Sequence, residues 1–336
     1  MDRDCPSSES HARTMLPCML RFDEEVLLRR LALALVALGV LASCSKSSNE
    51  EDPNAGPDGP DGGFGGSSGG LGKDGGAAPL PECAEETKDI FVISEENALY
   101  SFHPPTLAFK QIGLLKCPTG GAAPTSMAVD RTGIAWVRHS DGSIWKVSTK
   151  DLSCEPTKFT PPETTDGSFF KFGMGFATAS KGGSAEELFV SDNGGAGLAK
   201  IDTDTLAMRL VGPYTGDLAG KTSELTGTGD GKLYGFFVSA PAQIAEIAKG
   251  TGEIISATPL KDTYAGTAWA FSFYGGDFYV YTHSEGNNGG PPLAGGGSDV
   301  TRYRPSTGEV SIVKPKVGFK IVGAGVSTCA PTSSPR

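Results

Sequence analysis

The sequence predicts an all-β fold, a β-propeller of about five four-stranded blades, closed by a C-terminal strand and preceded by a disordered Gly-rich tether. Three observations support this prediction: a unit of short apolar runs and Asp/Gly turns recurs after residue 83, its third run recurs every 45 to 56 residues, and no helical period follows Leu41. The recurring third-run residues are Phe102, Val147, Ile201, Ile247 and Tyr303. One four-stranded sheet cannot bury both of its faces, so each unit requires neighbours of the same kind.

The clearest copy of the unit occupies residues 126–154. It contains three apolar runs and a weaker fourth at its end; the three are Met127–Val129, Ile134–Val137 and Ile144–Val147. Asp and Gly residues separate the runs and provide the tight-turn geometry that hairpins need. The segment therefore predicts a four-stranded antiparallel meander.

The first unit lacks an innermost strand, because nothing apolar precedes Asp89–Ser94. A spare strand, Phe319–Val326, follows the fifth unit. We therefore predict that this segment pairs with Asp89–Ser94 and closes the ring. Small residues recur on the innermost strands and indicate a tight axis: Ala128, Gly173, Gly175, Gly227, Gly229, Ala270, Gly323, Ala324 and Gly325.

The N-terminal region, residues 1–43, has the pattern of an export signal. Arg29 and Arg30 precede the apolar run Leu31–Val40, which is too short to span a membrane. Leu41–Cys44 resembles a bacterial lipobox, which implies that Cys44 is lipidated. An ordinary secretory signal with a chance cysteine is the alternative. The segment before Leu27 is polar, so the true start of translation can lie within residues 19–26.

The segment after the lipobox predicts a tether and an address. Residues 44–82 are rich in Gly, Pro and Ser, and such a composition does not repay the entropy of ordering. A flexible coil of this length spans roughly 30–35 Å. Ser45, in the place where Asp would indicate inner-membrane retention, favours the outer membrane. We expect a propeller over residues 83–331 and a short tail over 332–336.

Four of the seven cysteines remain after Cys44: Cys83, Cys117, Cys154 and Cys329. An even number in an exported protein favours two disulfides. Ring closure would bring Cys329 beside Cys83, so we predict this pair and, by elimination, Cys117 with Cys154. Other pairings, including none, stay open at this point.

Five motifs are distributed over residues 126–331: SMAVDRTGIAWV, FGMGF, ELTGTGDGKLYGF, WAFSFYGGDFY and IVGAGVSTCAP. In these motifs the chain resembles exported bacterial propeller lipoproteins of uncharacterised function. The resemblance implies a propeller fold and an exported address. It implies no reaction, because propellers host many unrelated functions.

Composition and motifs argue against several classes of function. The net charge of −10 disfavours nucleic acid, which requires a basic face. The sequence contains no Gly-x-Ser-x-Gly elbow, no Cys-x-x-Cys pair and only four scattered histidines. We therefore expect no metal and no cofactor, name no catalytic residue, and expect a monomer attached to the membrane through its lipid.

The mouth of the axis is the predicted binding site, because loops and strand starts converge there. The ligand-binding candidates are Ser126, Asp130, Met174, Glu224, Thr226, Thr228 and Trp269. Trp269 suits stacking against a sugar or a peptide side chain, and packing between blades is its alternative role. Asp130 and Asp230 occupy positions where Asp is ordinary turn chemistry.

Three hypotheses for the function follow from these features. The first is a lipid-anchored exported module that binds a protein or glycan without catalysis. The second is an enzyme that acts on carbohydrate or cell-wall material through axial carboxylates, and the third is a purely structural surface protein. The first two differ in one observable: an enzyme requires Glu224 and Asp130 to converge at one end of the channel.

Overall fold

The computed structural model describes residues 83–284 and 296–333. The predicted signal region, Cys44, the linker and the last three residues lie outside these ranges, as do positions 285–295. In the described ranges the helical elements are two short 3₁₀ helices, Glu85–Lys88 and Gly216–Leu218. None of the helices among the described residues has the length and apolar character needed to cross a membrane.

Twenty strands in the described part of the chain form five four-stranded antiparallel sheets, each in meander order. Blade one contains β20 (Ile321–Val326), β1 (Ile90–Ser94), β2 (Ala98–His103) and β3 (Ala108–Leu114). Blade two contains β4 (Pro124–Val129), β5 (Ile134–His139), β6 (Ile144–Ser148) and β7 (Cys154–Pro156). Blade three contains β8 (Phe172–Thr178), β9 (Glu186–Asp192), β10 (Leu198–Ile201) and β11 (Met208–Gly212).

Blade four contains β12 (Ser223–Gly227), β13 (Leu233–Phe237), β14 (Gln243–Ile247) and β15 (Ile254–Pro259). Blade five contains β16 (Ala268–Tyr274), β17 (Asp277–His283), β18 (Asp299–Arg304) and β19 (Glu309–Lys314). The first strand named for each blade is its innermost strand. The predicted five-bladed β-propeller is confirmed.

The ring closes through β20, which pairs antiparallel with β1 from Ile90–Val326 to Ser94–Ile321. The strand begins at Ile321, two residues later than predicted, because Phe319 has another role. Its ring stacks on that of Tyr100, with centroids 3.9 Å apart and planes within 4°. The aromatic contact fixes the chain just before the closing strand enters the blade.

Both predicted cysteine pairs lie at disulfide distance. The Cα atoms of Cys83 and Cys329 are 5.8 Å apart, and those of Cys117 and Cys154 are 5.4 Å apart. The first pair joins positions separated by 246 residues and therefore ties the two ends of the ring. The second joins the ends of blades one and two.

The hydrophobic core lies between neighbouring blades. Trp136, 2% exposed, packs with Phe176 and other residues of blade three, and Trp145 packs between blades one and two. Tyr281 of blade five is fully buried against blade one, and its hydroxyl bonds with Ser272 of its own blade at 3.1 Å. Burial of each large apolar side chain stabilises the ring by about 1.5–3 kcal/mol.

The innermost strands of neighbouring blades approach closely enough to require glycine. A Cβ on Gly227 would lie 2.1 Å from the Phe176 carbonyl oxygen, and one on Gly175 would lie 2.9 Å from the Leu225 carbonyl carbon. No side chain fits at such distances from the backbone of the next blade. The small residues on these strands therefore result from the tight axis, as the sequence predicts.

The axis has two different ends. At the open mouth, where the innermost strands begin, a cavity faces out of the ring. At the closed mouth, where the innermost strands finish, the C-terminal segment 327–331 contacts blades three, four and five. The Thr328 hydroxyl donates to Glu186, the Thr328 carbonyl lies against Gly229, and the Gly275 amide donates to the Pro331 carbonyl at 2.7 Å.

Candidate functional site

The open mouth contains a cavity of about 260 Å³. Every blade contributes to its wall, because the innermost strands all begin at this end and the loops of blades one and three reach over it. The lining residues include Val322, Thr125, Asn193, Glu224, Ala268 and Trp269. A concave site of mixed apolar and polar lining is typical of ligand pockets, and its volume suits a small group such as one sugar ring.

Glu224 lies in the wall of this cavity. It is the second residue of β12 and is 6% exposed. The Ser126 hydroxyl of β4 donates to its Oε2 at 3.0 Å, and the same hydroxyl accepts from the Met174 amide of β8 at 3.1 Å. A Cβ on Gly173 would lie 2.8 Å from the Glu224 carboxyl carbon, so glycine is what makes room for it. Three blades therefore converge on one carboxyl group.

Burial raises the pKa of Glu224 to about 8. The hydrogen bonds from Ser126 and the Met174 amide, together with the charge of Arg138, oppose this rise without cancelling it. Near pH 7 the carboxyl group is therefore mostly protonated. A protonated carboxyl both donates and accepts hydrogen bonds, which a carboxylate does not.

Arg138 supplies a positive charge beneath this site. It is fully buried at the end of β5, where its Nη1 donates to Thr125 Oγ1 at 2.6 Å and its Nη2 donates to the Phe170 carbonyl. Its guanidinium lies over the Phe172 ring, 5.0 Å from the centroid. Burial lowers the pKa of Arg138 to about 10, so it remains charged at neutral pH.

Sequence reasoning missed Arg138 and its neighbour His139. The predicted strand ended at Val137, whereas β5 runs through both residues, and both are buried. Burial lowers the pKa of His139, and neither of its ring nitrogens has a partner among the described residues. The only signal in the sequence was an Arg-His pair directly after an apolar run, which reads equally well as an exposed strand end.

The seven predicted candidates divide between the two mouths. Ser126 and Glu224 meet in the hydrogen bond above, and Trp269 lines the same cavity. The Met174 side chain belongs to the core between blades two and three and contributes only its amide. Thr226 is 2% exposed in the middle of β12, and its hydroxyl has no partner among the described residues.

Thr228 and Asp130 lie at the closed mouth. Thr228 donates to Asp230 within a turn. Asp130 accepts from the amides of Thr132 at 2.9 Å and Ile134 at 3.1 Å, and from the Trp136 indole at 3.3 Å. Both acids act as turn residues, the ordinary role of Asp at such positions.

Glu224 and Asp130 do not share a cavity. Asp130 follows the last residue of β4, whereas Glu224 is the second residue of β12, and each lines a cavity on a different face of the ring. The other acid that lines the open-mouth cavity is Glu95, which pairs with Lys320 at 3.2 Å. Within the described ranges, no group of three or more His, Cys, Asp or Glu residues is placed to hold a metal ion.

No protein-family model matches the chain, and no curated protein is significantly similar to it in sequence. A chain of the nidogen/laminin complex is 12% identical over 70% of this chain and 97% of that chain, with a TM-score of 0.44. A luciferin-regenerating enzyme is 13% identical over 72% and 93%, with a TM-score of 0.40. The Dos1 propeller is 11% identical over 72% and 56%, with a TM-score of 0.37. Similarities this distant indicate no function for the chain.

Proposed function

We propose that this protein is an exported lipoprotein, anchored through Cys44 to the outer membrane, whose propeller binds a ligand at the open mouth without catalysis. The observation that carries the proposal is the asymmetry of the axis. One mouth has a cavity lined by all five blades, and the other is covered by segment 327–331. A fold that closes one end and leaves a concave polar site at the other is suited to binding.

Export is supported by two independent features. The charged, apolar and small-residue parts of residues 29–44 follow one another in the order of a lipoprotein signal. Two cysteine pairs at disulfide distance are typical of proteins that fold in an oxidising compartment. The Gly-rich linker then serves as a tether that holds the propeller, as a monomer, away from the membrane.

Binding is favoured over hydrolysis by the separation of Glu224 from Asp130. Glycoside hydrolysis requires a second carboxyl group within about 5–10 Å of the first, on the other side of the scissile bond. The pair that the sequence suggested for this role is divided between the two faces of the ring. Glu224 instead makes a fixed hydrogen bond with Ser126, as a recognition group does.

The anchor is tested by labelling cells with an alkyne fatty acid and comparing the full-length protein with Cys44→Ser. We expect the wild type to carry the label and sediment with outer membranes, and the variant to lose both properties. An equally labelled variant would contradict the lipidation of Cys44.

The site is tested by probing a glycan array and an envelope-protein array with the full-length protein and two variants. Trp269→Ala removes the aromatic side chain of the open mouth, and Leu210→Ala is the matched control, since Leu210 is 66% exposed on the outer strand of blade three. We expect the first variant to lose the ligand and the second to keep it. Loss of the ligand in Leu210→Ala but not in Trp269→Ala would mean that the site lies away from the axis.

A further inference from the structure

The open face carries a second cavity beside the axial one. Its volume is about 510 Å³, and it is lined by the turn 238–240 of blade four and by residues that precede β16. Trp269 lines both cavities, and Tyr264 lies in the wall of the second. The two cavities therefore adjoin at Trp269, at the boundary between blades four and five, and together they are called the groove below.

Two aromatic residues mark this groove, and both are partly exposed. Trp269 is positioned by β16, where it pairs with Thr282 of β17, and Tyr264 belongs to the connection before that strand. Trp and Tyr present an apolar face together with a polar tip. Such a surface matches a sugar ring, which has apolar C–H faces and hydroxyls around its edge.

The side chains that line the axial cavity present no uncompensated charge. Glu95 is paired with Lys320 at 3.2 Å, and burial raises the pKa of Glu224 to about 8, so this group is mostly protonated near neutral pH. The charge of Arg138 lies outside the lining, where Thr125 and the Phe170 carbonyl accept its hydrogen bonds. A charged ligand would therefore leave water without gaining an opposite charge in the cavity wall. An uncharged polar ligand avoids that desolvation cost.

Hydrogen-bonding groups remain available in the cavity for such a ligand. The protonated Glu224 carboxyl both donates and accepts. The side-chain amide of Asn193 is exposed at the rim and makes no hydrogen bond among the described residues. An amide and a neutral carboxyl together match hydroxyl groups, each of which also donates and accepts.

We propose that the groove binds a linear, uncharged glycan, with its terminal ring beside Glu224 and Asn193 and the following rings across Trp269 toward Tyr264. This inference rests on the proposed binding function of the open mouth and specifies its ligand. The axial cavity accepts one ring, and the adjoining cavity provides the additional space that a longer chain requires.

The test uses isothermal titration of the full-length protein, purified in a detergent that has no sugar headgroup. The uncharged probes are hexamers of cellulose, xylan, mannan, maltodextrin and N-acetylated chitin. Two charged probes serve as comparisons: de-N-acetylated chitin hexamer, which is cationic, and hexagalacturonate, which is anionic. We expect at least one uncharged hexamer to bind, at least tenfold more tightly than its monosaccharide and than either charged hexamer.

The variants separate the parts of the groove. Trp269→Ala is expected to weaken the hexamer at least tenfold, and Tyr264→Ala to reduce the advantage of the hexamer over the disaccharide. Glu224→Gln keeps an uncharged group of the same shape, and its affinity for the hexamer is therefore expected to stay within about threefold of that of the wild type. Leu210→Ala, far from the groove, is expected to bind as the wild type does.

The outcomes distinguish this inference from the proposed function. If no uncharged hexamer binds but an envelope protein binds in a manner that Trp269→Ala abolishes, the glycan inference is wrong and the binding function stands. Preferred binding of the cationic hexamer, lost in Glu224→Gln, would show a carboxylate site for cations and overturn the inference. A glycan that binds equally well to Trp269→Ala and Tyr264→Ala would place the site elsewhere and overturn both.

Discussion

The two mouths of the axis are formed by the same five innermost strands, yet they differ in what covers them. At the closed mouth, Glu186 accepts from the Arg131 amide at 2.8 Å and from Thr328, and Lys249 donates to the carbonyls of Thr178 and Ala179. At the open mouth, residues of all five blades line the axial cavity.

The difference shows how a repeat fold obtains a single site. Five similar blades provide two similar ends, and a segment outside the repeat removes one of them. At the open end, polar groups such as the Asn193 amide stay available for a ligand. At the closed end, Thr328 of the C-terminal segment donates a hydrogen bond to the Glu186 carboxylate.

Removal of residues 317–336 is expected to have the largest effect, the loss of cooperative folding. The truncation removes β20 and exposes the pairing edge of β1, and it also removes the partner of Cys83. Thermal unfolding by circular dichroism measures it. Truncation after Pro331 keeps the bond to the Gly275 amide and is the control, expected to melt as the parent does. One sharp transition at the parent temperature in the longer truncation would contradict ring closure by β20.

Replacement of both Cys83 and Cys329 by serine is expected to lower the free energy of unfolding by about 5 kcal/mol in the chain-entropy model. The matched pair is Cys117 with Cys154, which closes a separation of 37 residues and is expected to contribute about 4 kcal/mol. Urea unfolding measures both values. Since the first pair lies at the closed mouth, the folded fraction should still bind ligand at the open mouth with unchanged affinity; a lost affinity would mean that the two ends are coupled.

The pH dependence of stability tests the buried carboxyl. Because the folded-state pKa of Glu224 is raised to about 8 from an ordinary 4.5, the folded protein holds a proton that the unfolded chain releases. Below pH 4.5, Glu224 is protonated in both states and its pKa shift does not change stability. As the pH rises toward 8, the shift destabilises the folded protein increasingly. Glu224→Gln is therefore expected to match the wild type at pH 4 and to be more stable at pH 9, on the order of a few kcal/mol.

Urea titrations of the wild type and of Glu224→Gln at both pH values provide the comparison. Glu186→Gln provides the same comparison at the closed mouth, because burial also raises the pKa of Glu186. Parallel pH profiles for the wild type and Glu224→Gln would mean that Glu224 ionises as it does in water.

Asp130→Ala is expected to have the smallest effect. It removes the acceptor for the Thr132 and Ile134 amides and costs about 1 kcal/mol of stability, the usual value for a side chain that holds a turn. Ligand affinity at the open mouth should not change, because Asp130 lies on the other face. Loss of ligand affinity in a folded Asp130→Ala protein would show that Asp130 contributes to the ligand site.

Much of the fold could be predicted because it depends on local patterns that repeat. Turn residues and short apolar runs indicate the strands, and the unpaired Asp89–Ser94 indicated the closing strand and hence the pairing of Cys83 with Cys329. The exact ends of strands could not be predicted. β20 begins late because Phe319 stacks on Tyr100, a contact between positions far apart in sequence.

The site was predictable only in part, for a similar reason. The sequence predicts Ser126 and Glu224 as axial strand residues, and their hydrogen-bonded oxygen atoms are 3.0 Å apart in the structure. Asp130 is acidic and near an innermost strand, which favours the same site, but its place after the strand puts it at the other mouth. The burial of Arg138 depends on Phe170, which lies just before blade three, and on Phe172, which begins it. No local sequence pattern predicts these contacts.

Ligand binding at the open mouth is tested by obstructing each face of the ring in turn. Asn193→Trp places a large side chain at the rim of the axial cavity, and Thr132→Trp places the same side chain on the opposite face. Affinity for the tightest-binding uncharged hexamer is measured by titration, with thermal unfolding as the check on folding. We expect at least a tenfold loss of affinity in Asn193→Trp and none in Thr132→Trp. A loss of affinity in Thr132→Trp with full affinity in Asn193→Trp would contradict binding at the open mouth.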